Sequence, residues 1–254
     1  MTHWIFRSFL LILLSSIFSM TSFAGSFWDS DLWHPVLGLE SGVAFISHAG
    51  KSKTFPIEDP LTDEFYNYSP KKKTHDPLIY GGFLGAEWQG FKHFGIQFDA
   101  KYNQSSSFSV HGNLVQGVDA QSEDHYTYKY KIRIRQLLAE GKFQYVLKWF
   151  RPYFLLGLGA GFNVANHFST NVPSSMAFTR MYKSNSCASF SYAVGAGMDF
   201  SLIRYLRLGV GYRFTDLGKV ALGSANIDGT SVSGTLSQSH LYSNEILANL
   251  TIVF

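Results

Sequence analysis

The sequence predicts an all-β chain, an eight-stranded antiparallel up-and-down β-barrel that crosses a membrane with its strands. Three observations carry that prediction. Apolar side chains recur at every second position through runs of membrane-crossing length, with glycines and charged residues on the alternate face. The connections between these runs alternate between tight and long, as in transmembrane barrels. Aromatic residues gather at the run ends, where membrane interfaces would lie.

The N-terminus reads as a targeting segment. Arg7 precedes the apolar run FLLILLSSIF, and Ser22-Phe23-Ala24 places small residues three and one positions before a cut ahead of Gly25. The run is about half of the ~20 residues a spanning helix needs. Residues 1–24 are therefore expected to be a cleaved secretory signal peptide and 25–254 the barrel. No Cys follows the cut, so no lipid anchor is expected, and the single Cys187 reads as a small residue packed in a strand.

The strands follow in order. Runs 36–47 and 78–89 are glycine-rich, and 94–103 sets Phe94, Ile96, Phe98, Ala100 and Tyr102 against Gln97, Asp99, Lys101 and Asn103. Run 126–147 starts with Tyr126, Tyr128, Tyr130, Ile132 and Ile134 on one face and Lys129, Lys131, Arg133 and Arg135 on the other. By Phe143 and Tyr145 its apolar parity has become odd, which reads as a bulge near 136–141. Run 151–167 places Phe154, Leu156, Leu158, Ala160 and Phe162 against glycines, and 188–200, 206–214 and 241–254 repeat the pattern. Tight turns are expected at 90–92, 148–151 and 201–204, and long loops at 48–77, 106–124, 166–186 and 217–240, the last two polar and mobile. Beside the tight turns and chain ends, Trp33, Trp88, Trp149, Phe200 and Phe254 would form a periplasmic aromatic girdle.

Eight strands enclose just enough space for side chains to fill. Parity puts Glu40, Glu87, Asp99, Lys101, Lys129, Lys131, Arg133, Arg135, Asp199, Arg207, Arg213 and Glu245 inside. Charges there must be paired, so a salt-bridge network acting as a plug is expected, with the glycines making room for the long bases.

The signal peptide, the eight alternating strands, the segments RPYFLLGLGAGF and YLRLGVGYRF and a last strand ending in Phe resemble small outer-membrane barrels of the OmpA-transmembrane and opacity-protein type. The resemblance spans the mature chain and rests on spacing, not on catalytic signatures. It implies a location in the outer membrane of a Gram-negative envelope, with Phe254 as the recognition signal for the outer-membrane assembly machinery. No peptidoglycan-binding domain follows Phe254, so a cell-wall tether is not expected.

Three functions compete. The first is a non-enzymatic surface protein, a monomer with an envelope-structural role, that meets lipopolysaccharide, outer-membrane lipid and an extracellular or host ligand through its loops. Phe65, Tyr66, Tyr68, Lys71, Lys72 and Lys73 in the first loop are the candidate contact, since clustered lysines attract phosphates and acidic surfaces. The second is a narrow porin-like pore for small solutes. The third, a lipid A-modifying enzyme, would need His240 and Ser243 within reach, but their odd spacing points them to opposite faces of a strand. His48, His75, His111, His125 and His167 show no metal-pair spacing, and no cofactor is expected. A net charge of +3 is no footprint for a nucleic-acid partner, and none is expected.

Overall fold

A computed structural model describes residues 32–56, 65–118, 122–173, 179–227 and 229–254; the expected signal peptide lies outside the described residues. The strands in chain order are β1 (Trp33–Phe45), β2 (Lys53–Pro56), β3 (Phe65–Pro70), β4 (Leu78–Phe91), β5 (Phe94–Ser105), β6 (Phe108–Val118), β7 (Ser122–Arg133), β8 (Arg135–Tyr145), β9 (Phe150–Thr170), β10 (Met181–Tyr182), β11 (Asn185–Ile203), β12 (Leu206–Asp216), β13 (Val220–Ala221), β14 (Ala225–Ile227), β15 (Thr230–Val232), β16 (Ser237–Gln238) and β17 (Tyr242–Val253).

Eight of them close a ring of antiparallel pairs, β1–β4–β5–β8–β9–β11–β12–β17 and back to β1. Closure leaves this ring no free edge, which hydrocarbon requires. Lipid-facing positions are large and apolar: Leu39, Phe98, Leu158, Phe190 and Ile246 are all more than half exposed. No helix among the described residues is long and apolar enough to cross a membrane.

The short turns share one end of the barrel. At the other end the long connections fold into a cap. β9 runs for 21 residues and β11 for 19, where ~9–11 suffice to span a bilayer, so their upper ends stand clear of it. The upper part of β9 pairs with β7, and the sheet continues outward through β6, β3 and β2. β5 and β6 on one side, and β7 and β8 on the other, thus make one long hairpin through membrane and cap. β10, β14 and β15 form a small second sheet, and β13 and β16 a third pair.

This overturns the expectation that 166–186 and 217–240 are mobile polar loops, for the residues described there. A buried core holds them, built from Tyr66, Tyr68, Tyr128, Phe168, Tyr182, Leu222 and Leu236 among others. Tyr68 alone meets the rings of Phe55, Tyr128, Phe168 and Tyr182 at 5.3–6.4 Å between centroids. Each ring buried this way contributes roughly 1.5–3 kcal/mol. The connections are also bolted together: Lys53 Nζ donates to the Thr235 carbonyl (2.9 Å) and to Ser237 Oγ (2.8 Å), and Arg180 stacks over Phe55 while donating to the Ser233 carbonyl (2.8 Å).

The bulge expected near 136–141 is absent. Between β7 and β8 the strand is interrupted at Ile134, whose amide donates to Ser105 Oγ (3.0 Å), and both strands lie along β9, with a register shift in the β7–β9 pairing between Lys129 and Lys131. Even-numbered residues point inward on both sides of this break: Tyr128, Tyr130, Ile132 and Ile134 above, Gln136, Leu138, Glu140, Lys142 and Gln144 below. What changes is the interior they enter, apolar in the cap and polar in the barrel.

Candidate functional site

The barrel lumen is the most heavily charged buried region among the described residues. Its mid-level holds Arg213 and Lys101 among three carboxylates. Arg213 donates to Glu245 (2.6 Å), Glu40 (2.9 Å) and Glu140 (3.4 Å), and Lys101 to Glu40 (2.9 Å) and Glu140 (2.6 Å). Nearer the short turns Glu87 accepts from Arg207 and from Arg151 (2.7 Å), while Lys142 pairs with Asp199 and lies 3.9 Å from the centre of the Tyr153 ring. Asp99 accepts from Gln97 (2.8 Å). At mid-level the paired side chains are no more than 5% exposed, so the charges meet one another and not a water column.

Above the charges lies a neutral polar layer. Gln136 donates to Ser191 (2.7 Å), Ser191 to the Asp216 carbonyl (2.5 Å) and Asn163 to the Leu217 carbonyl (2.6 Å). The apolar core of the cap begins at Leu217, Leu241, Ile46 and Ile134, directly over this layer.

Close approach explains the glycines. A Cβ on Gly209 would fall 2.2 Å from the Asp199 carboxylate, and one on Gly197 or Gly211 within 2.4–2.5 Å of the Tyr153 hydroxyl. Space is reserved for Tyr153 and Asp199 as much as for the long bases.

Of the residues expected inside, the structure brings together Glu40, Glu87, Asp99, Lys101, Asp199, Arg207, Arg213 and Glu245. Lys129, Lys131, Arg133 and Arg135 do not join them. Arg133 is exposed on the cap with its Nε on Ser107 Oγ (3.1 Å), and half-buried Arg135 opens the outward-facing row of β8. Odd positions point outward there, so a basic residue at 133 or 135 cannot reach the lumen. Glu140, Lys142 and Arg151 take part instead. The first two sit at even positions with Gln136 and Gln144, a pattern obscured by reading a bulge across them.

The residues expected to form a periplasmic girdle lie beside the short turns. Trp33 stands opposite Trp88 in the β1–β4 register, Trp88 meets Phe91 at 5.3 Å, and Trp149 stacks on Phe200 at 5.8 Å. Phe254 is exposed just past β17, its amide donating to the Pro35 carbonyl (3.0 Å).

The candidate contact loop divides. Lys71, Lys72 and Lys73 are exposed and Phe65 is half-buried, but Tyr66 and Tyr68 are fully buried in the cap core. A side chain held there cannot meet a ligand, so these two are corrected to structural residues. The cap instead exposes Lys129, Lys131 and Arg133 on the outward row of β7, with His111 opposite Lys129 on β6. Lys71 continues that sheet, donating its amide to the His111 carbonyl (2.8 Å).

His240 and Ser243 part company. Ser243 is buried in the lumen and donates to Glu245 (3.1 Å), whereas His240 sits outside with Nδ1 on the Asp216 carboxylate (2.7 Å). Asp216 was not singled out from the sequence; the pairing of Asp216 with Tyr242 at the top of β12 and β17 brings it to His240. Among the described residues no three His, Cys, Asp or Glu side chains gather as a metal site.

A closed barrel with apolar residues outward, a charged interior and an aromatic girdle defines an integral outer-membrane barrel of bacteria. The chain belongs to the outer membrane protein beta-barrel domain family, whose model matches residues 11–238. No curated protein matches the sequence. Similar solved structures include Neisserial surface protein A (11% identity, covering 87% of this chain and 97% of that one, TM-score 0.44). Others are OprG of Pseudomonas aeruginosa (12%, 86% and 95%, 0.44) and the attachment invasion locus protein of Yersinia pestis (14%, 86% and 98%, 0.37).

Proposed function

We propose that the protein is a non-enzymatic, non-conducting barrel that anchors a rigid extracellular β-platform and presents its basic face to acidic macromolecules at the cell surface. The observation that carries this reading is the pairing of a lumen packed with ion pairs and a cap with its own apolar core. A protein that only spans needs no second core. Successive outward residues on a strand lie ~7 Å apart, so Lys129, Lys131 and Arg133 form a regular cationic row that Lys71, Lys72 and Lys73 extend. Sulfated or phosphorylated polymers, including lipopolysaccharide and acidic extracellular ligands, are its natural partners. The separation of His240 from Ser243 removes the one residue pair considered for lipid A chemistry. Cleavage after Ala24, recognition of Phe254 by the assembly machinery, a monomeric state and an envelope-stabilising role complete the proposal.

Retention on immobilised heparin tests the surface role. Mature protein in nanodiscs is expected to bind at low salt and elute as salt screens the row. K129A/K131A/R133A should elute at clearly lower salt, with K71A/K72A/K73A shifted less. Elution of both variants with wild type would contradict the reading.

A further inference from the structure

A cleft of about 560 Å³ opens at the outer rim where the start of the first long connection meets the end of the last. Ser47, His48 and Lys51 line one side; Gln238, Ser239 and His240 line the other; Tyr242 and Asn244 form its base. Its walls are held in place. The Gln238 side chain accepts from the Gly50 amide (2.8 Å) and donates to the carbonyls of His48 (3.0 Å) and His240 (2.8 Å), tying the two connections together.

Its position fixes the height at which a ligand would lie. Tyr242 and Asn244 occupy lipid-facing positions of β17, and Asn244 stands opposite Phe45 of β1. Tyr212 donates its hydroxyl to Asn244 (2.5 Å), and Tyr242 stacks between Phe214 at 5.8 Å and His240 at 6.0 Å. These rings form the outer aromatic belt, the level of lipid headgroups. Below it the surface continues onto exposed Phe45 and Ile246. Above it stand the Lys51 ammonium and two imidazoles. The one carboxylate at the edge, Asp216, is 3% exposed and engaged: it holds His240 Nδ1 and accepts from the Gly218 amide (2.9 Å). His240 Nε2 is thereby the ring nitrogen left for a ligand.

We infer that this cleft seats the phosphorylated headgroup of an outer-leaflet glycolipid, with Lys51, His48 and His240 on the phosphate, Ser47 and Ser239 on the sugar, and the acyl chains against Phe45, Tyr242 and Ile246. Charge complementarity selects an anionic head, since cationic and N–H-bearing groups converge while the nearby carboxylate is buried and paired. Continuity with the lipid face selects a lipid over a free anion, because inorganic phosphate would leave the apolar half of the surface uncovered. The volume lies in the range of sites that enclose a small ligand, roughly 300–1,000 Å³, and suits a phosphorylated sugar. The site would fix one glycolipid against the β1–β17 seam, separate from the cationic row of β7.

The test is titration of refolded mature protein, in detergent micelles, with bisphosphorylated lipid A and with the same lipid A dephosphorylated, read by native mass spectrometry. The bisphosphorylated form is expected to bind at least about tenfold more tightly. H48A/K51A and the charge reversal K51E should remove that preference while keeping the heat-modifiable migration of a folded barrel. K92A, in a short turn at the opposite end of the barrel, should keep it. Equal binding of the two lipids, an undiminished preference in H48A/K51A, or displacement of the lipid by millimolar inorganic phosphate would each overturn the assignment. Heparin retention can fail while this preference stands, and the reverse, so the two results are separable.

Discussion

The lumen and the cap are two interiors enclosed by the same strands, and they obey opposite rules. Inside the membrane the buried faces carry Glu40, Lys101, Glu140 and Arg213 and the exposed faces carry Leu39, Phe98 and Leu158. In the cap the buried faces carry Tyr68, Val110, Tyr130 and Ile132, and Lys129, Lys131 and Arg133 lie outside. The solvent outside sets the sign: hydrocarbon takes the apolar face and leaves the polar one to pair with itself, while water does the reverse. The inversion falls at Ile134, on a hairpin whose inward residues stay even-numbered from Tyr128 to Gln144.

The largest expected effect lies in the lumen. Arg213→Ala leaves Glu40, Glu140 and Glu245 without their shared guanidinium and should cost ~3–5 kcal/mol, since a buried charge stripped of its partner is not rehydrated. Urea unfolding from liposomes, followed through the girdle tryptophans, measures it; a loss below ~1 kcal/mol would mean that water reaches this level. In the cap, Ile132→Ala should cost ~2–5 kcal/mol, because it removes apolar volume from a packed core. That loss should appear in amide hydrogen exchange of β6 and β7 and leave the β12–β17 amides unchanged; equal loss in both would merge the two regions into one.

Placing Arg at Leu158, 60% exposed to lipid, should cost ~2–4 kcal/mol near the midplane. Lys131→Leu, with the same outward sense on the cap, should leave folding into liposomes unaffected. Tolerance of Leu158→Arg would reverse the assignment of faces.

The smallest effect is a pH dependence at the seam. Burial, with Lys73 and His111 nearby, holds His75 below the ordinary histidine range, so it folds neutral against Phe108 at 5.1 Å. Its folded pKa is below its unfolded value of ~6.5, so its contribution is complete above that pH and is lost as pH falls through it, with a slope of at most ~1.4 kcal/mol per pH unit. Cap exchange rates should rise between neutral and mildly acidic pH in wild type and lose part of that rise in His75→Phe.

The barrel was legible because lipid enforces a strict two-residue alternation over whole strands, as in 151–167 and 206–214. The same alternation places Glu40, Asp99, Arg207 and Glu245 on the inner face, where they lie. The cap was not legible for a physical reason. A strand with Tyr and Ile on one face and Lys and Arg on the other looks the same whether the apolar face meets lipid or a protein core, so alternation alone reads Tyr126 to Ile134 as membrane-crossing. Glu140 and Lys142 were lost to the same ambiguity, and Asp216 because its meeting with His240 depends on the pairing of distant strands.

The central claim is that the charges of the lumen close it. Conductance of mature protein, residues 25–254, refolded into a planar lipid bilayer tests that most directly. A silent bilayer containing folded, heat-modifiable barrel is the expected result. Steady, discrete single-channel openings would contradict the account and make Arg207, Arg213 and Glu245 the lining of a pore.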